Sequence, residues 1–236
     1  MTREGIKINI GDRLILLNEE IEKALVRADR RGETVKLVAV TKTMGMDKIK
    51  DALSHGVTDI GENRVQELSD KYHTLGNEAN FHMIGHLQTN KVRNLIGKTA
   101  LIHSLDRMSL AQELNKRSAL LDIVTDVLLQ VNVAEEKSKY GLKTDQVLQF
   151  VEDILDFKNI RIRGMMTMAP LTDDKALVRN VFRSLFKLKE DIIKRNYEGL
   201  KMDYLSMGMT NDYKLAIEEG SNMIRVGSFI FGERNY

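Results

Sequence analysis

Lys42 is a residue whose type and position could support covalent chemistry. It closes an apolar, β-branched run over residues 35–42, which predicts a strand buried on both faces. A lysine at the carboxyl end of such a strand points its amine into the mouth of the sheet, where desolvation favours the neutral, nucleophilic form. Such an amine can form a Schiff base with a carbonyl compound. A solvated lysine on the rim of the sheet is the alternative interpretation.

Two later loops carry residues that could hold a phosphate group. The first runs from Ser206 to Thr210, and the second contains Gly227 and Ser228, just after Arg225. Gly227 lets the backbone approach an anion, while Ser206 and Ser228 offer hydroxyl groups. Either loop alone could be an ordinary turn, but barrel proteins commonly bind phosphate with the loops after their seventh and eighth strands. Together the two loops predict a phosphate site, provided that the fold is such a barrel.

The elements that must position these residues alternate between strands and helices. An amphipathic helix over residues 12–30 comes first. Predicted strands, separated by helical segments, follow at residues 35–42, 57–61, 80–85, 100–103, 124–133, 160–166, 203–206 and 223–226. Eight such units at this length favour a (β/α)8 TIM barrel of the α/β class with an additional N-terminal helix. An open doubly wound sheet is less favoured, because no G-x-G-x-x-G motif follows the first strand.

Other polar residues near predicted strand ends allow ordinary structural interpretations. Asn63 follows the second strand and could cap the next helix. His82, His86 and His103 lack the spacing of a zinc site, so we interpret them as structural or rim residues and expect no metal.

Composition limits the classes of protein to which the chain can belong. Its 236 residues, 42% of them hydrophobic, suit one domain over residues 1–236. A net charge of +2 gives no strong field for nucleic acid or an anionic membrane, and the absence of cysteine excludes disulfides and thiolate chemistry. The start lacks the apolar core of a signal peptide, and no uncharged run approaches the roughly 18 residues of a membrane span. We expect a cytoplasmic monomer.

A Schiff-base lysine, a phosphate site and an arginine beside it together describe a site for pyridoxal 5'-phosphate (PLP). The sequence also resembles the pyridoxal phosphate homeostasis protein family, whose members are similar to the barrel domain of alanine racemase. The matching segments are LVAVTK (37–42), IGENRVQE (60–67), FHMIGHLQTNK (81–91), LLQVNVAEEKSKYGL (128–142), RGMMTMAP (163–170), LSMGMTNDYKLAI (205–217) and IRVGSFIFGER (224–234). They extend through nearly the whole chain in the family's order.

The resemblance implies roles for individual residues. Lys42 would carry the cofactor as a Schiff base, and Asn63 would lie beside it. The phosphate would be held by Ser206, Gly227 and Ser228, of which Ser228 replaces the family's usual threonine and keeps a hydroxyl. Arg225 would face the pyridine nitrogen. Because a guanidinium only donates hydrogen bonds, it should leave that nitrogen unprotonated and the ring a weak electron sink.

Three functions remain open at this stage. We favour a PLP binder with little or no catalysis, which would act in vitamin B6 and amino-acid homeostasis and could deliver PLP to apoenzymes. A weak PLP-dependent racemase is the alternative, although the chain ends at Tyr236, just past the eighth strand, and we expect no second domain to supply the other catalytic group. A phosphosugar enzyme with a Schiff-base lysine and no cofactor is the third.

Overall fold

The chain folds into a closed barrel of eight parallel strands, seen in a computed structural model that describes residues 9–136 and 139–232. Each strand pairs with the next along the chain, and the last returns to pair with the first. The strands are β1 (Lys36–Val40), β2 (Asp59–Glu62), β3 (Asn80–Met83), β4 (Leu101–Leu105), β5 (Thr125–Gln130), β6 (Ile160–Met166), β7 (Tyr204–Ser206) and β8 (Met223–Val226). The predicted (β/α)8 barrel is confirmed, and the open-sheet alternative is wrong.

Helices surround the barrel and connect its strands. They are α1 (Ile10–Arg27), α2 (Met46–Ser54), α3 (Val65–Leu75), α4 (Met108–Leu120), α5 (Val147–Ile154), α6 (Lys175–Lys194), α7 (Tyr213–Glu218) and α8 (Ser228–Phe231). The additional N-terminal helix is α1, which packs against α7 and α8. Its buried stripe explains its position, because Leu14, Leu17 and Ile21 recur at helical spacing on one face.

The connection between β3 and β4 differs from the prediction of an α-helix over residues 89–96. The segment Thr89–Asn94 is a 3₁₀ helix, in which only Val92 is buried. Leu95 and Ile96 are also buried, but they lie in the turn that follows this helix, so the apolar pattern is present although the chain forms the tighter and shorter helix.

The strands are buried on both faces, and successive residues point alternately inward and outward. Ala39 packs in the large cluster between strands and helices, whereas Val38 belongs to a small apolar cluster inside the barrel. Arg225 is the register partner of Val38 and therefore also points inward. The barrel interior thus combines an apolar layer with charged and polar side chains.

No helix among the described residues is both long and apolar enough to cross a membrane.

Candidate functional site

A pocket of about 240 Å³ opens at the carboxyl ends of the strands, where barrels place their functional residues. Its walls come from the turn after β1 and from the loops after β6, β7 and β8. Four of the six predicted site residues line it, namely Lys42, Arg225, Gly227 and Ser228. The fold therefore brings together residues that are up to 186 positions apart in the sequence (228 − 42).

Lys42 lies in a tight turn and not at the end of the strand itself. Strand β1 ends at Val40, two residues earlier than the sequence predicts. The chain turns because Thr43 adopts the left-handed conformation, with φ of 63°. The half-buried Lys42 side chain is part of the pocket wall.

A buried ammonium group holds the backbone on one side of this turn. Nζ of Lys71 donates to the carbonyl oxygen of Thr41 at 2.7 Å, to Oε1 of Glu62 at 2.6 Å and to Oε1 of Glu67 at 2.8 Å. Lys71 is 6% exposed and Glu62 is fully buried, so these ion pairs are largely shielded from water. The residue before Lys42 is therefore fixed to helix α3 and strand β2.

The other side of the turn is held by the same carboxylates. Oε1 of Glu67 accepts a hydrogen bond from the backbone nitrogen of Thr43 at 2.5 Å, and Oγ1 of Thr41 donates to Oε1 of Glu62 at 2.5 Å. Burial works to raise the pKa of Glu67, but hydrogen bonds from Lys71 and Thr43 outweigh it and lower this pKa. Burial raises the pKa of Glu62 despite its bonds to Lys71 and Thr41. We call Thr41, Thr43, Glu62, Glu67 and Lys71 the Lys42 clamp.

Two hydroxyl groups meet at the opposite side of the pocket. Oγ of Ser228, at the start of α8, donates to Oγ1 of Thr210 at 3.1 Å. Both residues line the pocket, and Gly227 lies beside them. Thr210 lies in the loop that the sequence predicts to bind phosphate, although it is not among the predicted site residues. A hydroxyl two residues after Gly208, in a loop already assigned to phosphate binding, was the available signal.

The Thr210 loop is pinned by an acidic residue. Oδ1 of Asp212 accepts a hydrogen bond from the backbone nitrogen of Met209 at 2.5 Å, and Asp212 itself lines the pocket. Burial raises the pKa of Asp212, although this bond and the charge of Arg225 oppose the shift. The pocket therefore contains a carboxyl group that exchanges its proton closer to neutral pH than an exposed aspartate does.

Ser206 is buried at the end of β7 and is not among the residues that line the pocket. Its Oγ lies 3.0 Å from Nδ1 of His103 and accepts a hydrogen bond from Nη1 of Arg225 at 2.7 Å. Its hydroxyl therefore contacts the arginine and a buried histidine, and not the pair formed by Thr210 and Ser228.

The guanidinium of Arg225 donates hydrogen bonds to buried acceptors of Ser206 and Thr167. Nη1 also donates to the carbonyl oxygen of Ser206 at 2.7 Å, and Nη2 donates to that of Thr167 at 2.9 Å. Only 4% of the residue is exposed. Burial lowers its pKa to about 10, while the nearby Asp212 opposes the shift. Arg225 is therefore a charged, fixed donor at neutral pH.

Asn63 lies outside this pocket and lines a neighbouring cavity of about 300 Å³ together with His86 and Lys91. It does not cap the following helix, since α3 has Arg64 at its N-cap and no side-chain cap bond. Its backbone packs closely on Gly85, where a Cβ atom would approach the carbonyl oxygen of Asn63 to 2.4 Å. The interpretation of Asn63 as a helix cap is therefore wrong.

The three histidines have different environments. His82 and His103 are buried, with Nδ1 of His82 at 2.9 Å from Nε2 of His103. His86 stacks on Tyr140, with ring centroids 3.7 Å apart. Within residues 9–136 and 139–232, no three histidine, aspartate or glutamate side chains are grouped in a way that could hold a metal ion.

Comparisons with known proteins agree with this architecture. Residues 18–235 match the family model for the N-terminal domain of alanine racemase. The pyridoxal phosphate homeostasis protein of Aquifex aeolicus is 41% identical over 230 residues, covering 97% of this chain and 100% of the relative. That of Haemophilus influenzae is 37% identical over 232 residues, covering 97% and 98% of the two chains.

Two solved structures also resemble this chain. PipY from Synechococcus elongatus, whose structure was solved with PLP bound, matches with a TM-score of 0.82 and 29% identity over 95% of this chain and all of PipY. Alanine racemase from Clostridium difficile matches with a TM-score of 0.76 at 16% identity, over 97% of this chain and 58% of that one, which shows a shared barrel fold. The full-length matches at 41% and 37% identity show that the chain belongs to the pyridoxal phosphate homeostasis protein family.

Proposed function

We propose that the protein binds PLP, with the cofactor attached as a Schiff base to Lys42. One observation carries the proposal: Lys42, Arg225, Gly227, Ser228 and Thr210 line the same pocket. An amine, a guanidinium and a pair of hydroxyls complement the aldehyde, the ring nitrogen and the phosphate of PLP respectively. The homeostasis proteins named above and the PLP-bound PipY support the same cofactor and disfavour the phosphosugar alternative.

Each group of the pocket has a defined task in this proposal. Lys42 would hold the cofactor through its amine, which can form a C=N bond with an aldehyde carbon while the aldehyde oxygen leaves as water. Thr210, Ser228 and the backbone at Gly227 donate hydrogen bonds to the phosphate, which are stronger than neutral ones because the acceptor is charged. The hydroxyl of Ser206, which the family resemblance assigns to the phosphate, accepts a hydrogen bond from Arg225, so we propose that it acts through the guanidinium.

Arg225 favours binding over catalysis. PLP supplies carbanion stabilisation best when its ring nitrogen is protonated by an acidic partner. A guanidinium has no acceptor and keeps its charge at neutral pH, so it donates to an unprotonated nitrogen. We therefore propose a cofactor binder with little or no turnover, which acts in PLP and amino-acid homeostasis by storing PLP or delivering it to PLP-requiring apoenzymes.

A weak amino-acid racemase is the second candidate. Asp212 favours it, because a carboxyl group in the pocket, with a pKa raised by burial, is the kind of group that accepts and donates protons in catalysis. Steady interconversion of D- and L-amino acids by the PLP-loaded protein, abolished by Lys42→Ala, would favour this candidate over the binder.

The covalent site can be tested directly. Protein incubated with PLP should develop a visible absorbance band that borohydride reduction removes, and peptide mapping should find the reduced cofactor on Lys42. Lys42→Ala should abolish the band, whereas Lys48→Ala, which removes an exposed lysine of helix α2, should retain it. A label on another lysine would exclude Lys42 as the attachment site.

We also propose that residues 1–236 act as one PLP-binding domain, monomeric and cytoplasmic. The barrel accounts for every strand of the described chain, and the pocket draws all of its walls from that barrel. Light scattering of the PLP-loaded protein should give the mass of one chain, and twice that mass would contradict the monomer.

A further inference from the structure

A line of five polar side chains crosses the inside of the barrel behind the pocket. Nε2 of His82 lies 2.8 Å from Oδ1 of Asp59, and Nδ1 of His82 lies 2.9 Å from Nε2 of His103. Nδ1 of His103 lies 3.0 Å from Oγ of Ser206, to which Arg225 donates at 2.7 Å. The five come from β2, β3, β4, β7 and β8, and each is at most 4% exposed.

The two ends of this line fix the direction of its hydrogen bonds. Arg225 can only donate, so Oγ of Ser206 accepts from it and is free to donate its own proton to Nδ1 of His103. At the other end, Asp59 is ionised: burial works to raise its pKa, but hydrogen bonds from His82 and Thr58 outweigh it and lower this pKa. The carboxylate can only accept, so Nε2 of His82 must carry a proton.

These constraints assign both imidazoles if neither is charged. Nδ1 of His82 then has no proton and accepts from Nε2 of His103, and Nδ1 of His103 accepts from Ser206. Both histidines are therefore Nε2–H tautomers, and every bond from Arg225 to Asp59 points the same way.

The opposite direction would require a buried imidazolium. If Nδ1 of His82 donated to His103, His82 would carry protons on both nitrogens. Lys36 already neutralises Asp59, with Nζ 3.2 Å from Oδ1. Burial lowers the pKa of His82, and burial together with the charge of Arg225 lowers that of His103. The neutral arrangement is thus the stable one.

We infer that His82 and His103 are positioning residues which, through Ser206, hold Arg225 as a fixed donor toward the ring nitrogen of bound PLP. We call Asp59, His82, His103, Ser206 and Arg225 the barrel relay. The identity of the ring rests on the proposed function, whereas the arrangement of the barrel relay does not. Without the two histidines, the Ser206 hydroxyl would lose its acceptor, and the guanidinium of Arg225 could shift away from the nitrogen that it faces.

The relay itself can be tested without cofactor. Nitrogen-15 NMR of the cofactor-free protein at pH 7.5 should show His82 and His103 as neutral imidazoles with the proton on Nε2 in each. An imidazolium signal or an Nδ1–H tautomer at either position would overturn the inference, whether or not the protein binds PLP. His73→Leu, which removes an exposed histidine of α3, should leave both assignments unchanged.

The effect on Arg225 can be tested with PLP bound. His103→Leu keeps the bulk but removes both hydrogen bonds, whereas His103→Gln keeps one acceptor and one donor. We expect the visible band of the His103→Leu protein to shift and to become pH-dependent, with PLP affinity about tenfold weaker, as for the loss of one to two hydrogen bonds. His103→Gln should restore the wild-type band.

The outcomes separate the two claims. If wild-type protein forms no visible band with PLP, the proposed function fails, while the NMR tautomers still decide the arrangement of the relay. If wild-type protein forms the band and a folded His103→Leu protein has the same spectrum and pH profile, the positioning role fails. Circular dichroism identifies a variant that has not folded, and Ser206→Ala then takes the place of His103→Leu, because it removes the link between His103 and Arg225; an unchanged spectrum and pH profile in that variant would overturn the positioning role.

Discussion

The hydroxyl groups of Thr210 and Ser228 meet at the mouth of the barrel, with 3.1 Å between Oγ1 and Oγ. They come from the loops after β7 and β8, and both line the pocket that contains Lys42. No other pair of hydroxyls among the described pocket residues is hydrogen-bonded in this way. The pair therefore marks the point of the pocket best suited to an anion.

Removing either hydroxyl should weaken PLP binding. Thr210→Val and Ser228→Ala should each raise the Kd for PLP by an amount equivalent to about 1 to 3 kcal/mol, because a hydrogen bond to a charged phosphate is lost. Titration of the visible band measures this change. Pyridoxal, which lacks the phosphate, is the matched control, and its affinity should not change. Equal losses for PLP and pyridoxal would place the phosphate elsewhere.

Ser206→Ala should also weaken PLP binding by about 1 to 3 kcal/mol, but for a different reason. Its hydroxyl contacts Arg225 and His103, so the variant should disturb the part of the pocket that faces the ring. The same loss should therefore appear with pyridoxal. A loss confined to PLP would support a direct phosphate contact of Ser206.

Lys71→Met should destabilise the protein and slow cofactor attachment. The variant leaves the carboxylates of Glu62 and Glu67 without their cation and frees the carbonyl of Thr41, and removal of one member of a buried ion pair costs about 3 to 5 kcal/mol. Urea unfolding measures the free energy of unfolding, and the growth of the visible band measures attachment. Lys50→Met, at an exposed position of α2, is the control. An unchanged rate in a folded Lys71→Met protein would show that the Lys42 clamp does not position Lys42.

The free energy of unfolding should depend on the buried histidines below neutral pH. Burial lowers the pKa of His82 and His103 in the folded protein, whereas in the unfolded chain both titrate near about 6.5. As the pH falls below that value the unfolded state binds more protons, so stability decreases until the folded pKa values are reached. The loss between pH 6.5 and 5.5 should be at most about 1 kcal/mol per histidine, which is the limit for an imidazole that stays neutral in the folded protein.

Comparison with a variant separates the contribution of the histidines from that of other groups that change protonation over the same pH range. The pKa values of Glu62 and Asp212 are raised in the folded protein. Their contribution to the free energy of unfolding is therefore lost as the pH rises above their unfolded-state pKa values, which is opposite to the behaviour of the histidines. Asp59, with a lowered pKa, contributes stability that is lost only at more acidic pH. Urea unfolding at pH 7.5 and 5.5 should therefore show a smaller loss for His103→Gln than for wild type. Identical losses would show that His103 is not buried in its neutral form.

The sequence by itself determined the barrel and the two sides of the site. The alternation of apolar runs with amphipathic stripes depends only on local periodicity, so eight strands and the stripe of Leu14 and Leu17 could be recognised without a structure. Parallel strands in a barrel end at one face, and this rule was sufficient to place Lys42 and Gly227 near each other.

The tertiary structure decided which way each side chain points and what it contacts. Ser206 ends strand β7 and Thr210 lies four residues later in the following loop, yet Thr210 lines the pocket and Ser206 is buried behind it. His82 and His103 belong to different strands, and a relay through them depends on the register of the strands in the closed barrel. Strand register and the curvature of a loop are set by packing between distant segments, which no local pattern of residues records.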